Sequence, residues 1–236
     1  MSGTGSARCA SAGGKTEVTD LVDLSAPVRE RFLARAEARE VGLASSRDAI
    51  RSAANAIRAI HRADHDRADE LIASAKAALE TATEACAPHP EIAHAGFVQD
   101  AAKEVAEAVL TRAAISGSAL PGPDGVGVDD GSWLHGLAET VGELRRACLD
   151  NVRRGHLDAA EELLDVMQEI LSALATIDVP DGLTRGLRRN ADAARAITER
   201  TRGDLTTAAG QRDLKAALDA HRMALESATP TTSDTD

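Results

Sequence analysis

The chain has 236 residues and a formal net charge of −11, and alanine supplies about a fifth of it. It contains only two Phe, one Trp and no Tyr. Strands depend on aromatic and β-branched side chains, whereas alanine and leucine favour helices. This composition therefore excludes an all-β fold and a large parallel sheet, and it predicts an all-α protein.

The sequence shows no apolar segment for membrane insertion or export and no clustered cysteines. No stretch approaches the roughly 18 uncharged apolar residues of a membrane span, and the N-terminus lacks the apolar core of a signal peptide. Cys9, Cys86 and Cys148 are far apart, and His61 and His65 have no evident third ligand, so we expect neither a disulfide framework nor a zinc site. The expected location is a reducing cytoplasm.

The charge balance indicates the environment of the protein. There are 38 acidic residues against 27 basic ones, and only four of the bases are lysine. An acidic, lysine-poor surface is typical of proteins that work in concentrated salt, so we predict a halophile. At 1 M salt the Debye length is about 3 Å, and the negative charge therefore does not exclude a nucleic-acid partner.

Helical patterns fill the chain between two small, polar ends. We expect disordered tails at 1–16 and 227–236 and one helical domain at 17–226. Within the domain, one long helix or two in series are predicted at about 18–62, with Pro27 near a start or a break. Further helices are predicted at about 64–85, 91–115, 133–154, 157–177 and 181–202, with a short one at 211–225. The glycines and prolines of 116–132 predict the one clear loop, and Asp64 is the expected cap of the second helix. Short connections predict that sequential helices pack antiparallel in a bundle.

Two pairs of acids are candidates for a metal site. Glu104 and Glu107 lie three apart on the third predicted helix, and Glu139 and Glu143 lie four apart on the fourth, so each pair shares one side of its helix. Four carboxylates would suit Mg²⁺ or Mn²⁺, which could activate a water for attack on a phosphodiester. The alternative is a solvated acidic surface, since both pairs face away from the apolar stripe of their helix.

Arginines line one side of the end of the first predicted helix. Arg47, Arg51, Arg58 and Arg62 fall within about 60° of one another on a helical wheel. Such a stripe could hold backbone phosphates, or it could be a solvent face paired with acids of neighbouring helices. No aromatic residues interleave with it, so any nucleic-acid binding should be weakly sequence-specific.

Several segments resemble the translin family in the same order along about residues 20–205. These are Ile-Arg-Ala-Ile-His-Arg at 57–62, His-Pro-Glu at 89–91, Gly-Phe-Val-Gln-Asp at 96–100, Lys-Glu-Val-Ala-Glu-Ala at 103–108 and Leu-His-Gly-Leu-Ala-Glu-Thr-Val-Gly-Glu-Leu-Arg-Arg at 134–146, followed by Cys148, Asn151-Val152 and Gly155. They are more similar to translin-associated factor X and its archaeal single-subunit relatives than to translin itself.

This resemblance implies a bundle of about six to seven antiparallel helices that assembles into a hollow homo-oligomer, an octamer. It also implies single-stranded RNA, and possibly single-stranded DNA, as the partner on the inner wall. The factor-X type is a Mg²⁺-dependent endoribonuclease, whose acids correspond here to Glu104, Glu107, Glu139 and Glu143. Glu139 departs from the Asp usual in the family, and Lys103 and Val105 replace a Gln and an aromatic residue.

The sequence therefore predicts a Mg²⁺- or Mn²⁺-dependent endoribonuclease. The four acids would bind the metal or position water, and Arg47, Arg51, Arg58, Arg62 and Arg146 would hold phosphates, although Arg146 could instead be a structural partner of the acids. Two alternatives stay open: a shell that binds RNA or DNA without cutting it, and an all-α nucleoside-triphosphate pyrophosphohydrolase. The spacing of the second acidic pair counts against the latter.

Overall fold

The structure, a computed structural model, describes residues 21–228, and within them it contains helices and no strand. The helices are α1 (Leu21–His61), α2 (His65–Cys86), α3 (Pro90–Ala93), α4 (Phe97–Ile115), α5 (Pro123–Val126), α6 (Asp130–Arg154), α7 (Leu157–Ala175), α8 (Asp181–Thr184) and α9 (Leu187–Ala228). The tails expected at 1–16 and 227–236 lie outside the described residues, apart from 227 and 228 at the end of α9. The all-α prediction is confirmed.

Cross-helix contacts give the direction of each long helix. The hydroxyls of Ser52 and Ser74 lie 3.4 Å apart in the antiparallel pair of α1 and α2. By contrast, α4 and α6 run parallel: the Ser132 hydroxyl donates to the carbonyl of Gln99 at 3.3 Å, and Lys103 pairs with Glu139 further along both helices. The expectation of antiparallel neighbours is wrong for this pair, because the long connection at 116–129 returns the chain to the same end of the bundle.

The second half of the bundle consists of α6, α7 and α9. The Cys148 thiol donates to the carbonyl of Ala160 at 3.3 Å across the α6–α7 hairpin, and Arg202 donates to the Gln168 side chain at 3.1 Å between α9 and α7. Since α7 is antiparallel to both of its neighbours, α6 and α9 run parallel to each other. One apolar core joins α4, α6, α7 and α9, and a second joins α1, α2 and α4.

Three predicted helix boundaries differ from the structure. The helix expected at 91–115 is interrupted at 94–96, where Gly96 has φ +96°, so that α3 ends before α4 begins. The helix expected at 181–202 is divided into α8 and the start of α9, because Arg185 and Gly186 have positive φ values of 51° and 89°. From Leu187, α9 then continues without a break through the helix expected at 211–225. Gly203 and Gly210 do not interrupt α9, since each is one weak position in a long helix.

Two further details of the helix ends differ from expectation. The predicted loop at 116–132 contains α5, and α6 begins at Asp130, where the Asp129 carboxylate accepts a bond from the Ser132 backbone at 3.0 Å. Asp64 stands at the N-cap of α2 but makes no side-chain capping bond. Among the described residues, no helix is long and apolar enough to cross a membrane.

Candidate metal centre

Three carboxylates meet where α4 and α6 lie side by side. Glu104 and Glu107 come from successive turns of α4, and Glu139 comes from α6; one oxygen of each lies within 4.8 Å of the others. The side chains of Glu104 and Glu139 are 25% and 32% exposed, so the cluster is open to solvent on one side. These three residues are close enough together to hold one metal ion.

A glycine allows the two helices to approach this closely. A Cβ atom on Gly136 would lie 2.6 Å from the Cβ of Ala106, 2.9 Å from the backbone nitrogen of Glu107 and 2.9 Å from the carbonyl oxygen of Lys103. No larger residue fits at such distances without moving a helix. Gly136 lies one turn before Glu139, and it therefore brings that carboxylate next to the two acids of α4.

Lys103 lies among these acids. Its Nζ atom is 3.2 Å from a carboxylate oxygen of Glu104 and 2.9 Å from one of Glu139. Burial lowers the pKa of Lys103, but the hydrogen bonds and negative charges of Glu139 and Glu104 outweigh this effect, so the pKa is raised overall. The ammonium group thus neutralises part of the charge on two of the three acids.

Glu107 is the acid whose charge is least compensated. It is 9% exposed, and within residues 21–228 its carboxylate has no hydrogen bond or ion pair. Burial, and after it the negative charges of Glu104, Glu139 and Glu143, raise the pKa of Glu107 to about 8, although the charge of Lys103 lowers it in part. A divalent cation would supply the missing partner, and a set made only of carboxylate oxygens fits Mg²⁺ or Mn²⁺.

Glu143 lies outside this group of three and pairs with α1 instead. Its carboxylate is 2.5 Å from Nε2 of His61, whose side chain is only 4% exposed. The hydrogen bond to His61 lowers the pKa of Glu143; burial opposes this, and the charges of His61 and Arg146 lower the pKa further. Glu143 is still near enough to raise the pKa of Glu107. The four predicted acids therefore divide into a cluster of three and a neighbouring Glu143–His61 pair.

Sequence reasoning missed the position of His61. In the sequence it stands out only as a candidate zinc ligand with His65, whereas the structure buries it between α1 and α6, beside Glu143. The available signal was its place four residues after the buried Ile57, which turns it toward the interior side of α1. His61 is thus the group that holds Glu143 in place.

The predicted phosphate-binding arginines are all exposed. On α1, Arg51 pairs with Asp48, and Arg58 donates to Asn55 at 2.6 Å, whereas Arg47 and Arg62 make no ion pair within residues 21–228. The arginine side borders the helix face of His61, since Arg58 lies three residues before it. Arg146 follows Glu143 by three residues on α6, and its charge lowers the pKa of Glu143. Of the five arginines, Arg146 is thus the one with an observed effect on an acid of the site.

A small polar cavity adjoins the other side of Glu139. It has a volume of about 230 Å³ and is lined by Lys103, His135, Arg185 and Asn190, among others. Nε2 of His135 donates to the carbonyl of Thr184 at 2.8 Å, so its Nδ1 can accept a hydrogen bond from the Asn190 amide at 3.1 Å. His135 and Asn190 were not predicted as site residues, although His135 lies in the segment 134–146.

The chain is similar to C3PO proteins of known structure. The structure of AfC3PO in complex with duplex RNA is 31% identical and covers 82% of this chain and 98% of its own, with a TM-score of 0.71. AfC3PO alone gives 31% identity, coverage of 79% and 97%, and a TM-score of 0.70. Apo-NeC3PO shares the fold, with a TM-score of 0.71 and coverage of 81% and 98%, at 18% identity.

One curated relative is an uncharacterized protein of Methanocaldococcus jannaschii, 28% identical over 175 residues, which are 72% of this chain and 75% of the relative. No protein-family model matches the chain. The similarity to AfC3PO nevertheless covers nearly all of that protein and joins sequence identity to a shared fold. The chain belongs to the translin (C3PO) family.

Proposed function

We propose that this protein is a Mg²⁺- or Mn²⁺-dependent endoribonuclease. The observation that carries this proposal is the meeting of Glu104, Glu107 and Glu139 within 4.8 Å, with Glu107 buried and uncompensated. A purely structural surface gains nothing from such a cluster, because buried like charges destabilise the fold. The relative AfC3PO has been solved with duplex RNA, which supports RNA as the partner here.

Glu104, Glu107 and Glu139 would hold the metal ion, which when bound supplies a Lewis acid and lowers the pKa of a coordinated water. Glu143 has a different task in this proposal. His61 engages one of its carboxylate oxygens, and its lowered pKa keeps it ionised, so its other oxygen can accept the proton of the attacking water. Arg47, Arg51, Arg58, Arg62 and Arg146 would hold the strand by its phosphates.

We propose further that the active form is a homo-oligomeric shell, an octamer with RNA bound inside it. Two helix ends carry large apolar side chains in contact with solvent: Leu21, Leu24, Phe32 and Leu33 on α1, and Leu214, Leu218 and Met223 on α9, each at least 57% exposed. Apolar surface of this extent is characteristic of association sites. In this proposal copies of the chain bury that surface against one another, and the acids, which are open to solvent on one side, face the enclosed space.

A binding protein that does not cut RNA is the second candidate, and it is favoured by Lys103, which already occupies part of the space between Glu104 and Glu139. Membership of the translin family favours RNA over a nucleoside triphosphate, so we do not expect pyrophosphate release from nucleotides. Since the acidic composition predicts a halophile, the assays belong in concentrated KCl.

The deciding experiment compares labelled single-stranded RNA, duplex RNA and single-stranded DNA with Mg²⁺, Mn²⁺ or EDTA. We expect metal-dependent cutting of single-stranded RNA, and loss of cutting in Glu104→Gln and Glu107→Gln, which keep the side-chain shape. Glu161→Gln, an exposed position on α7, is the matched control. RNA that is bound but stays intact with either metal would establish the binding protein instead.

A further inference from the structure

A second cavity opens beside the acids, between α6 and α9. Its volume is about 310 Å³, and Glu107 and Glu139 stand at its edge. The rest of the lining includes Gly142 from α6 and Ala193 and Ile197 from α9, so most of its surface is apolar. No basic residue is among those that line it. This cavity can receive an uncharged, flat, apolar group, but not a phosphate.

The cavity is held open by contacts at both of its ends. At one end the Asn190 amide lies 3.1 Å from Nδ1 of His135, and at the other Arg145 bonds Thr201 and Asp204, each at 2.9 Å. These contacts fix α6 and α9 side by side. Between them the apolar lining consists of glycine and alanine apart from Ile197, so the chain itself leaves the space unfilled.

Gly142 lines this space without contributing a side chain to it. A Cβ atom added there meets no other atom within 4 Å, in contrast to the crowded Gly136 on the same helix. In a helix interior a glycine is less favourable than an alanine. Since no close helix contact requires Gly142, its effect in the structure is to leave the space beside it unfilled.

We propose that this cavity binds one nucleobase, that of the nucleotide next to the phosphodiester held at Glu104, Glu107 and Glu139. The inference rests on the proposed function. A strand whose phosphate lies at the acids must place a neighbouring base within a few ångströms, and this cavity adjoins Glu107 and Glu139 directly. The apolar walls contact the faces of the base, with Ile197 in place of the aromatic residue that often stacks on bases in single-stranded RNA sites.

Asn190 supplies the polar edge of the cavity. One of its amide hydrogens is directed to His135, which leaves its second amide hydrogen and its carbonyl oxygen for the edge of a base. Hydrogen bonding of this kind orients a base while the apolar walls provide contact area. By binding one base, the pocket fixes which nucleotide of the strand lies at the acids, independently of the arginines that hold the backbone.

The test combines a pocket-filling variant with a substrate that lacks the base. A Cβ atom on Gly142 meets nothing within 4 Å, so in Gly142→Leu the side chain can extend into the cavity and we expect folding and assembly to be retained. The control is Gly203→Leu, on the exposed side of α9, where an added Cβ also meets nothing within 4 Å. The substrates are a single-stranded RNA and the same RNA with an abasic residue on either side of the mapped cleavage site.

We expect the abasic residue on one side of the site to slow cutting by the wild type about tenfold. Gly142→Leu should cut intact RNA about tenfold more slowly and should no longer distinguish the abasic substrate, while Gly203→Leu behaves as the wild type. Mn²⁺ affinity should be the same in all three proteins. The proposed base pocket would be wrong if the wild type and Gly142→Leu cut RNA at the same rate, or if Gly142→Leu and Gly203→Leu lost activity equally.

A binding measurement separates this inference from the proposed function. Fluorescence anisotropy in EDTA compares an oligoribonucleotide with a fully abasic chain of the same length. Removing the bases should weaken binding more for the wild type than for Gly142→Leu, whether or not the protein cuts RNA. If the loss is equal in both, no base enters the cavity; if wild-type cutting is absent but this difference is present, only the nuclease function is wrong.

Discussion

Gly136 of α6 lies against the backbone of Glu107 on α4, with only 2.9 Å between the position of a Cβ atom and the Glu107 nitrogen. This contact couples helix packing to the spacing of the carboxylates. The same two helices carry all three clustered acids, so any increase in their separation moves Glu139 away from Glu104 and Glu107. The geometry of the metal centre thus depends on a residue that would not itself bind metal.

Gly136→Ala tests this dependence. The added methyl group meets Ala106 and the α4 backbone, so we expect a loss of about 1–3 kcal/mol in the free energy of unfolding, together with weaker Mn²⁺ binding. Gly203→Ala is the matched control and should be neutral or slightly stabilising, because its position is open. Urea denaturation and Mn²⁺ titration measure both quantities. Unchanged Mn²⁺ affinity in Gly136→Ala would show that helix spacing does not set the site.

Glu107 should make the metal-free protein less stable as the pH rises. The pKa of the Glu107 carboxyl is 4.5 for an ordinary glutamate, as in the unfolded chain, and about 8 in the folded protein. Between pH 4.5 and pH 8 the carboxyl is therefore protonated in the folded protein and ionised in the unfolded chain. Stability contributed by this group therefore falls through this range, and the cost is fully present above about pH 8.

In EDTA, Glu107→Gln should remove that dependence and be more stable than the wild type at pH 8.5 by about 2 kcal/mol or more. At pH 4 the two proteins should differ little. Urea denaturation at several pH values measures this, with Glu161→Gln as the control. A wild type as stable as Glu107→Gln at pH 8.5 would mean that the Glu107 carboxylate is compensated in the fold.

Lys103 should compete with the metal ion. Its ammonium group pairs with Glu104 and Glu139, so Lys103→Met should raise the affinity for Mn²⁺ and lower the stability of the metal-free protein. Lys215→Met, an exposed change on α9, controls for the loss of one positive charge. Calorimetric titration with Mn²⁺ provides the comparison. Weaker Mn²⁺ binding in Lys103→Met would instead make Lys103 a support of the site.

His61 should act through Glu143 rather than through the metal. In His61→Leu, which has no hydrogen-bond donor, the carboxylate loses the main cause of its lowered pKa, so the acid limb of the pH–rate profile should move to higher pH, with kcat lower by about tenfold. Mn²⁺ affinity should be unchanged, because Glu143 lies outside the cluster of three. His65→Leu is the control. An unshifted profile would exclude Glu143 as the proton acceptor.

The all-α class and the positions of most helices could be predicted from the sequence. Alanine-rich periodic segments favour helices, and glycines and prolines end them, through interactions between residues that are close in the sequence. The breaks at Gly96 and Arg185, both with positive φ, could not be predicted, because the apolar pattern of the helix continues through each of them. The direction of α6 relative to α4 depends on how the 116–129 connection crosses the bundle, and that is a tertiary property.

The acids of the site could be named from their spacing and from the resemblance, but not their division of roles. Glu143 and Glu139 share one side of α6, and only the position of α1 decides that Glu143 meets His61. In the sequence, Lys103 is recognisable only as a replacement for the Gln that is common in the family. That its ammonium group contacts acids of both α4 and α6 depends on how these helices pack. Gly142 gave no signal at all, because its importance is the space around it.

The most direct test of the account is Mn²⁺ binding to the wild type and to Glu104→Gln, Glu107→Gln and Glu139→Gln, measured by electron paramagnetic resonance in concentrated KCl. We predict one tightly bound ion per chain in the wild type and strongly weakened binding in each variant, with folding retained. Full binding in all three variants, or no binding by the wild type, would contradict a metal centre at these acids.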